Sequence, residues 1–253
     1  MDQVTKRRTS IVEFVNSNGE ISFAQLREAF PNVSDMTLRT DLKALDETKQ
    51  IIRVHGGAKS VDAVFGNDDL IGRREMRNVE EKRVIARKAA ALIRPHTTIY
   101  LDSGSTTTEL ARIMPDLPVE IYTTSLPCAV ELARLKEARL FVAGGELNSN
   151  SLSLFGPHAL SMLDDVNFDM TIMGVTAWDE RAGFTCGSNS DNWLKQRILK
   201  RAERNIVLMD ATKVGHRKPY TICQLADIQE VVSDRPLPEA FLAQCEKEAV
   251  IVY

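Results

Sequence analysis

The residue types that could do chemistry in this chain fall mainly in two stretches. One runs Ile99-Tyr100-Leu101-Asp102-Ser103-Gly104-Ser105-Thr106-Thr107-Thr108, an apolar strand that opens into five hydroxyl residues around a glycine. One hydroxyl is enough to cap a helix. Five of them beside the free N–H groups of a helix start make a cradle for an anion. No lysine stands at the P-loop position, which argues against nucleotide hydrolysis. Thr123-Thr124-Ser125 and Gly144-Gly145 repeat the pattern after two later strands. Each alone is ordinary turn chemistry, but three such strand ends in one sheet converge on one pocket. Lys195 and Asp210-Ala211-Thr212-Lys213 add polar groups that could complete it, although a solvated surface lysine accounts for Lys195 equally well.

The other stretch is Val33-Ser34-Asp35-Met36-Thr37-Leu38-Arg39-Thr40-Asp41-Leu42. Ser34 reads as a helix N-cap, with Asp35 favouring the positive end of the helix. Leu38, Leu42 and Leu45 recur at i, i+4 and i+7 and face inward, which leaves Asp35, Met36, Thr37, Arg39, Thr40 and Lys43 outward. Short hydroxyls and an arginine near a helix start suit the major groove, where Arg forks onto guanine and Thr meets bases or phosphates. A plain amphipathic helix has a polar face too. The company of this one decides for DNA: a helix and tight turn before it, and Arg53-Val54-His55-Gly56-Gly57-Ala58 after it as a hairpin wing.

These residues need positioning. Residues 1–59 read as three short helices and a β-ribbon, with Ser22 capping the second helix. Residues 60–79 read as a linker, broken by Gly66-Asn67-Asp68-Asp69. Over 80–253 the texture becomes alternating apolar strands and helices. Strands are predicted at 98–101, 119–123, 139–143, 170–174, 205–209, 230–233 and 249–252, with helices at 80–93, 106–113, 127–135, 158–163, 191–202 and 238–246. That alternation predicts an α/β domain around a mostly parallel sheet covered on both faces.

Composition narrows the function classes. The 253 residues are 43% hydrophobic and 26% charged, enough apolar material for a real core. No run approaches a membrane span, and the N-terminus lacks the apolar segment of a signal peptide, so a cytoplasmic location is expected. Cys128, Cys186, Cys223 and Cys245 form no CxxC, and the four histidines are scattered, so neither a metal site nor a disulfide framework is expected. Residues 1–60 carry nine Lys/Arg and eight Asp/Glu, net +1, on a body of net −4. A DNA grip by one copy is therefore modest.

The combination of Val33-Ser34, Thr37-Leu38-Arg39 and Asp41-Leu42 with Arg53-Val54-His55-Gly56-Gly57-Ala58 resembles the DNA-binding signature of DeoR-type bacterial transcriptional regulators. The likeness continues through Glu81-Lys82, Ile85-Ala86, Leu101 to Thr107, Thr124-Ser125, Gly144-Gly145, Gly174, Gly183 with Thr185, Lys195, and Asp210 with Lys213. The resemblance implies a winged helix-turn-helix joined to a sensor domain similar to ribose-5-phosphate isomerase. It also implies repression of a sugar-catabolism operon, release by a phosphorylated sugar or related metabolite, and a homo-oligomer, dimer or tetramer. The family often carries a second arginine in the recognition helix, where this chain has Thr40.

The expected DNA contacts are Ser34, Thr37, Arg39, Thr40, Lys43, Arg53, His55 and Gly56, on double-stranded operator DNA. The expected effector contacts are Asp102, Ser103, Gly104, Ser105, Thr106, Thr107, Thr124, Ser125, Gly144, Gly145, Lys195 and Lys213. No cofactor and no catalytic residue are expected. An isomerase would need a positioned base, and the chain lacks the DGADE-like and KGGGG-like loops of that fold. A DNA-architectural protein without ligand would have no use for the hydroxyl-rich strand ends.

Overall fold

A computed structural model describes residues 3–48, 50–60 and 70–253. The chain divides into two compact units, Met1–Asp69 and Leu70–Tyr253. Of the linker expected over 60–79, residues 61–69 lie outside the described residues. Its later part holds a short helix, α4 (Ile71–Met76), which belongs to the second unit.

In the first unit, α1 (Gln3–Asn18) leads through β1 (Glu20–Ser22) into α2 (Phe23–Ala29). Ser22 caps α2 in a capping box: its Oγ accepts from the Gln25 N–H at 3.2 Å, and Gln25 Oε1 accepts from the Ser22 N–H at 2.8 Å. After the turn, α3 (Asp35–Glu47) starts at the Ser34 cap, whose Oγ accepts from the Thr37 N–H. Leu38, Leu42 and Leu45 enter one core with Ile11, Val15, Ile21, Leu26, Ile51 and Ala58. The ribbon β2 (Ile52–Val54) and β3 (Gly57–Lys59) closes an antiparallel sheet of order β1-β3-β2, completing a winged helix-turn-helix.

The second unit is built on a seven-stranded sheet. After α4 and α5 (Val79–Ala90) come β4 (Thr98–Leu101), α6 (Ser105–Ile113), β5 (Glu120–Thr123), α7 (Leu126–Leu132) and β6 (Arg139–Val142). A hairpin, β7 (Glu146–Asn148) and β8 (Ser153–Phe155), leads to α8 (Pro157–Asp164) and β9 (Phe168–Gly174). Then follow β10 (Ala177–Asp179), β11 (Gly183–Cys186), α9 (Asn189–Leu199), β12 (Ala202–Leu208), β13 (Tyr220–Cys223), β14 (Glu230–Val232), α10 (Glu239–Lys247) and β15 (Ile251–Val252). The sheet order is β15-β14-β12-β9-β4-β5-β6, and every neighbouring pair is parallel.

Strand residues alternate between two cores. Ile99, Leu101, Ile121, Ile206 and Leu208 pack with Ile85 and Ala89 of α5, Leu110 of α6 and Leu132 of α7. Tyr100, Met173, Val207 and Val231 pack on the other face with Leu163 of α8, Ile198 of α9 and Phe241 of α10. All seven strands predicted for the main sheet are present. The small antiparallel sheets, β7-β8 and β10-β11-β13, have segments of three or four residues, too short to show alternation in sequence.

Candidate functional site

On α3 the polar face is outward as expected. Met36, Arg39, Thr40 and Lys43 are exposed and Thr37 is half-buried, opposite Leu38 and Leu42. Some of these groups have partners within the unit. The Ser34 and Thr37 hydroxyls lie 2.9 Å apart, Thr40 Oγ1 donates to Met36 O, and Lys43 lies 3.8 Å from Glu47. The Arg39 guanidinium sits 4.3 Å above the Phe23 ring, which aims it along the surface of α2. Arg53 and His55 are exposed on the wing, with Gly56 at its tip. Sequence reading missed Asp41. It is buried on the inner face of α3 and accepts from Arg7 Nε at 2.6 Å and Arg8 Nε at 2.8 Å, tying α1 to α3. Burial opposes its charge, but the two arginines outweigh that and lower its pKa.

In the second unit the chain runs outward from β4 to β5 and β6, then from β9 on the other side of β4 to β12, β14 and β15. The switch point of this parallel sheet, where α/β folds leave a crevice at the carboxyl edge, therefore lies between β4 and β9. Asp102 and Gly174 stand there. Asp102 Oδ2 accepts from the Gly174 N–H at 2.9 Å and from Lys195 Nζ, which also donates to Gly174 O at 2.6 Å. Lys195 is no surface lysine: it is 5% exposed and paired with Asp102, which is 1% exposed. Burial alone lowers an ammonium pKa, but Asp102 outweighs it and Lys195 is shifted upward.

Beside this pair is the start of α6. Its N-cap is Gly104, at a φ of +148° that favours glycine, and no side chain caps the helix. Consecutive N–H groups from Ser103 to Thr107 have no acceptor among the described residues. The hydroxyls of Thr107 and Thr108 donate back to Gly104 O, whereas those of Ser105 and Thr106 make no hydrogen bond among the described residues. After β5, Thr124 Oγ1 lies 3.2 Å from the Tyr100 hydroxyl, and Ser125 Oγ caps α7 through the Cys128 N–H. Gly144 and Gly145 are exposed beyond β6. A Cβ at Gly145 would lie 2.2 Å from Phe155 O, so the backbone approach of β8 explains that glycine without a ligand.

Beyond β12, Lys213 Nζ donates to Val175 O at 2.8 Å and lies 3.6 Å from Asp210 Oδ2. Lys82, quoted above only as part of a motif, proves to be buried beside them. It donates through Nζ to Arg74 O and Arg77 O at the end of α4. Its signal was in the sequence: Lys82, Ile85, Ala86 and Ala89 share one face of α5.

Comparison with known proteins adds the decisive observation. Residues 7–64 match the DeoR-like helix-turn-helix domain, and residues 77–235 match the DeoR C terminal sensor domain. The chain belongs to the DeoR family. It is 31% identical over 98% of its length to the uncharacterized HTH-type transcriptional regulator YulB of Bacillus subtilis, covering 96% of that protein. It is 31% identical over 90% of its length to the lactose phosphotransferase system repressor of Staphylococcus aureus, covering 91% of it. Among solved structures, ribose 5-phosphate isomerase A of Methanocaldococcus jannaschii matches 54% of this chain and 55% of its own, at a TM-score of 0.41 and 19% identity. In this DeoR-family regulator, the first match spans α3 and the wing, and the second spans α5 to β14. No helix among the described residues is long and apolar enough to cross a membrane.

Proposed function

We propose that this DeoR-family chain represses a carbohydrate-catabolism operon, is released from operator DNA by a phosphorylated sugar or close relative, and catalyses no reaction. The observation that carries the effector half is the row of N–H groups from Ser103 to Thr107, without acceptors among the described residues, at the switch point of the sheet. These amides, with the hydroxyls of Ser105 and Thr106, hold the phosphate, and Lys195 and Lys213 supply positive charge. Thr124, Ser125, Gly144 and Gly145 line the neighbouring strand ends. Asp102 spends one oxygen on Lys195 and Gly174 and offers the other to a sugar hydroxyl. The lack of the DGADE-like and KGGGG-like loops argues against isomerase chemistry, which needs a positioned base. The DNA half rests on Arg39 as main base reader, assisted by Ser34, Thr37, Thr40 and Lys43, with Arg53, His55 and Gly56 at the backbone.

Operator and effector must weaken each other's binding by the same factor. The test is an anisotropy titration of the full chain on a DNA fragment it selects from a random pool, with and without a panel of sugar monophosphates. One of these should release the DNA, and Ser105→Ala with Thr106→Ala should abolish release while leaving DNA binding intact. Arg39→Ala should lose about 1–3 kcal/mol of base discrimination. A double variant that responds as wild type does places the pocket elsewhere. Turnover of ribose 5-phosphate by the purified chain would overturn the non-enzymatic reading.

A further inference from the structure

One charge in the second unit has no use in the fold. The Arg74 side chain, in the last turn of α4, makes neither ion pair nor hydrogen bond among the described residues, and its Nε is buried. Its neighbours make this costlier. Lys213 and Lys82 are both close enough to Arg74 for their ammonium pKa values to be pulled down by it, in addition to burial. Asp210 faces Lys213 and Lys82, and Glu109, the other acid facing Lys82, also pairs with Arg112. Arg74 itself has no carboxylate partner among the described residues, a place that a phosphate oxygen can fill.

The position of Arg74 is fixed rather than accidental. Lys82 holds the carbonyls of Arg74 and Arg77, and Asn78 reaches Asp210 Oδ1 at 3.5 Å and Thr212 Oγ1 at 3.4 Å. Both contacts pin the end of α4 against the loop that carries Lys213. Arg74 is half-buried, and a guanidinium Nε buried without a partner is unfavourable unless a ligand supplies one; the planar fork suits phosphate oxygens.

We propose that Arg74 is a phosphate ligand of the effector, gripping it together with Lys213, with Lys82 as the positioning residue that presents it. This rests on the sugar-phosphate reading above and adds a residue and a route. Because α4 is the first element after residues 61–69, the ligand takes hold of the point where the chain enters the second unit. Binding there alters the restraint on that entry point directly.

The experiment measures binding of inorganic phosphate and of pentose and hexose monophosphates to the full chain by thermal shift and calorimetry, with chloride at matched ionic strength. Arg74→Gln should weaken binding by roughly 10- to 100-fold, and Arg74→Lys should restore part of it. Undiminished affinity in Arg74→Gln overturns the assignment and leaves the sugar-phosphate reading intact. Failure of the wild-type chain to bind any of these compounds overturns both. Should the variants fail to fold, hydrogen exchange on the wild type decides. The ligand should slow exchange across residues 71–77, and slowing confined to residues 103–108 removes Arg74 from the site.

Discussion

Lys82 shows how one side chain records its surroundings. Burial, then the charge of Lys213, bring its ammonium down to about 8, against the pull of Asp210 and Glu109 and with Arg74 adding to the repulsion. In the unfolded chain it keeps its ordinary value near 10.5. Between these values the unfolded state holds a proton that the folded state has released, so stability rises with pH across that window. Lys82→Met should flatten that rise, read from urea unfolding at a series of pH values from neutral to alkaline. An unchanged slope would mean the ammonium is not held as described. At this scale the sequence revealed local roles and concealed distant ones. Ser22 and Ser34 were legible as caps because their partners lie three residues away. Lys195 was not legible as an internal ion pair because Asp102 lies 93 positions before it.

Among the elements, Asp41 joins α1 to α3, the helix proposed to read DNA. Asp41→Ala should destabilise the first unit by about 1–3 kcal/mol, between the values for an exposed and a fully buried pair, since Arg7 and Arg8 are partly solvated. Asp41→Asn, which keeps the volume, should recover part of the loss. The readout is hydrogen exchange resolved along the chain: faster exchange in α1 and α3, none in the β4–β9 region. With its pKa lowered, Asp41 contributes in full above its unfolded value and loses that contribution as pH falls through the folded one. The elements of the main sheet were legible because buried parallel strands read as continuous apolar runs. The β10-β11-β13 sheet was not, because its strands are three or four residues long and a register shift at Phe184/Thr185 interrupts the pairing.

For the whole molecule, charge and copy number are linked. Residues 1–60 carry a net charge of +1, which one copy can convert into few phosphate contacts. Two heads on one DNA, with half-site spacing set by the assembly, are the expected source of useful affinity at cellular salt. Sedimentation of the full chain should show a dimer or larger at micromolar concentration; a stable monomer that still binds DNA tightly would remove the argument. The two-part organisation itself was legible from the change of texture near residue 80. The division between Asp69 and Leu70 was not, because α4 is a six-residue helix whose Arg73 and Arg74 look like linker charges until their neighbours are known.

The uniform direction of the seven strands has an evolutionary consequence. Beyond Leu101 and Leu208 one further backbone bond each, Asp102 N–H to Ile172 O and Met209 N–H to Val232 O, closes the ladder, and the loop residues that follow can change without touching it. Selectivity for a small molecule can drift in these loops while the machinery of folding is inherited whole. With the proposed effector held at this edge, divergent lineages of such chains can exchange one for another by altering a handful of loop residues, without having to reinvent the scaffold.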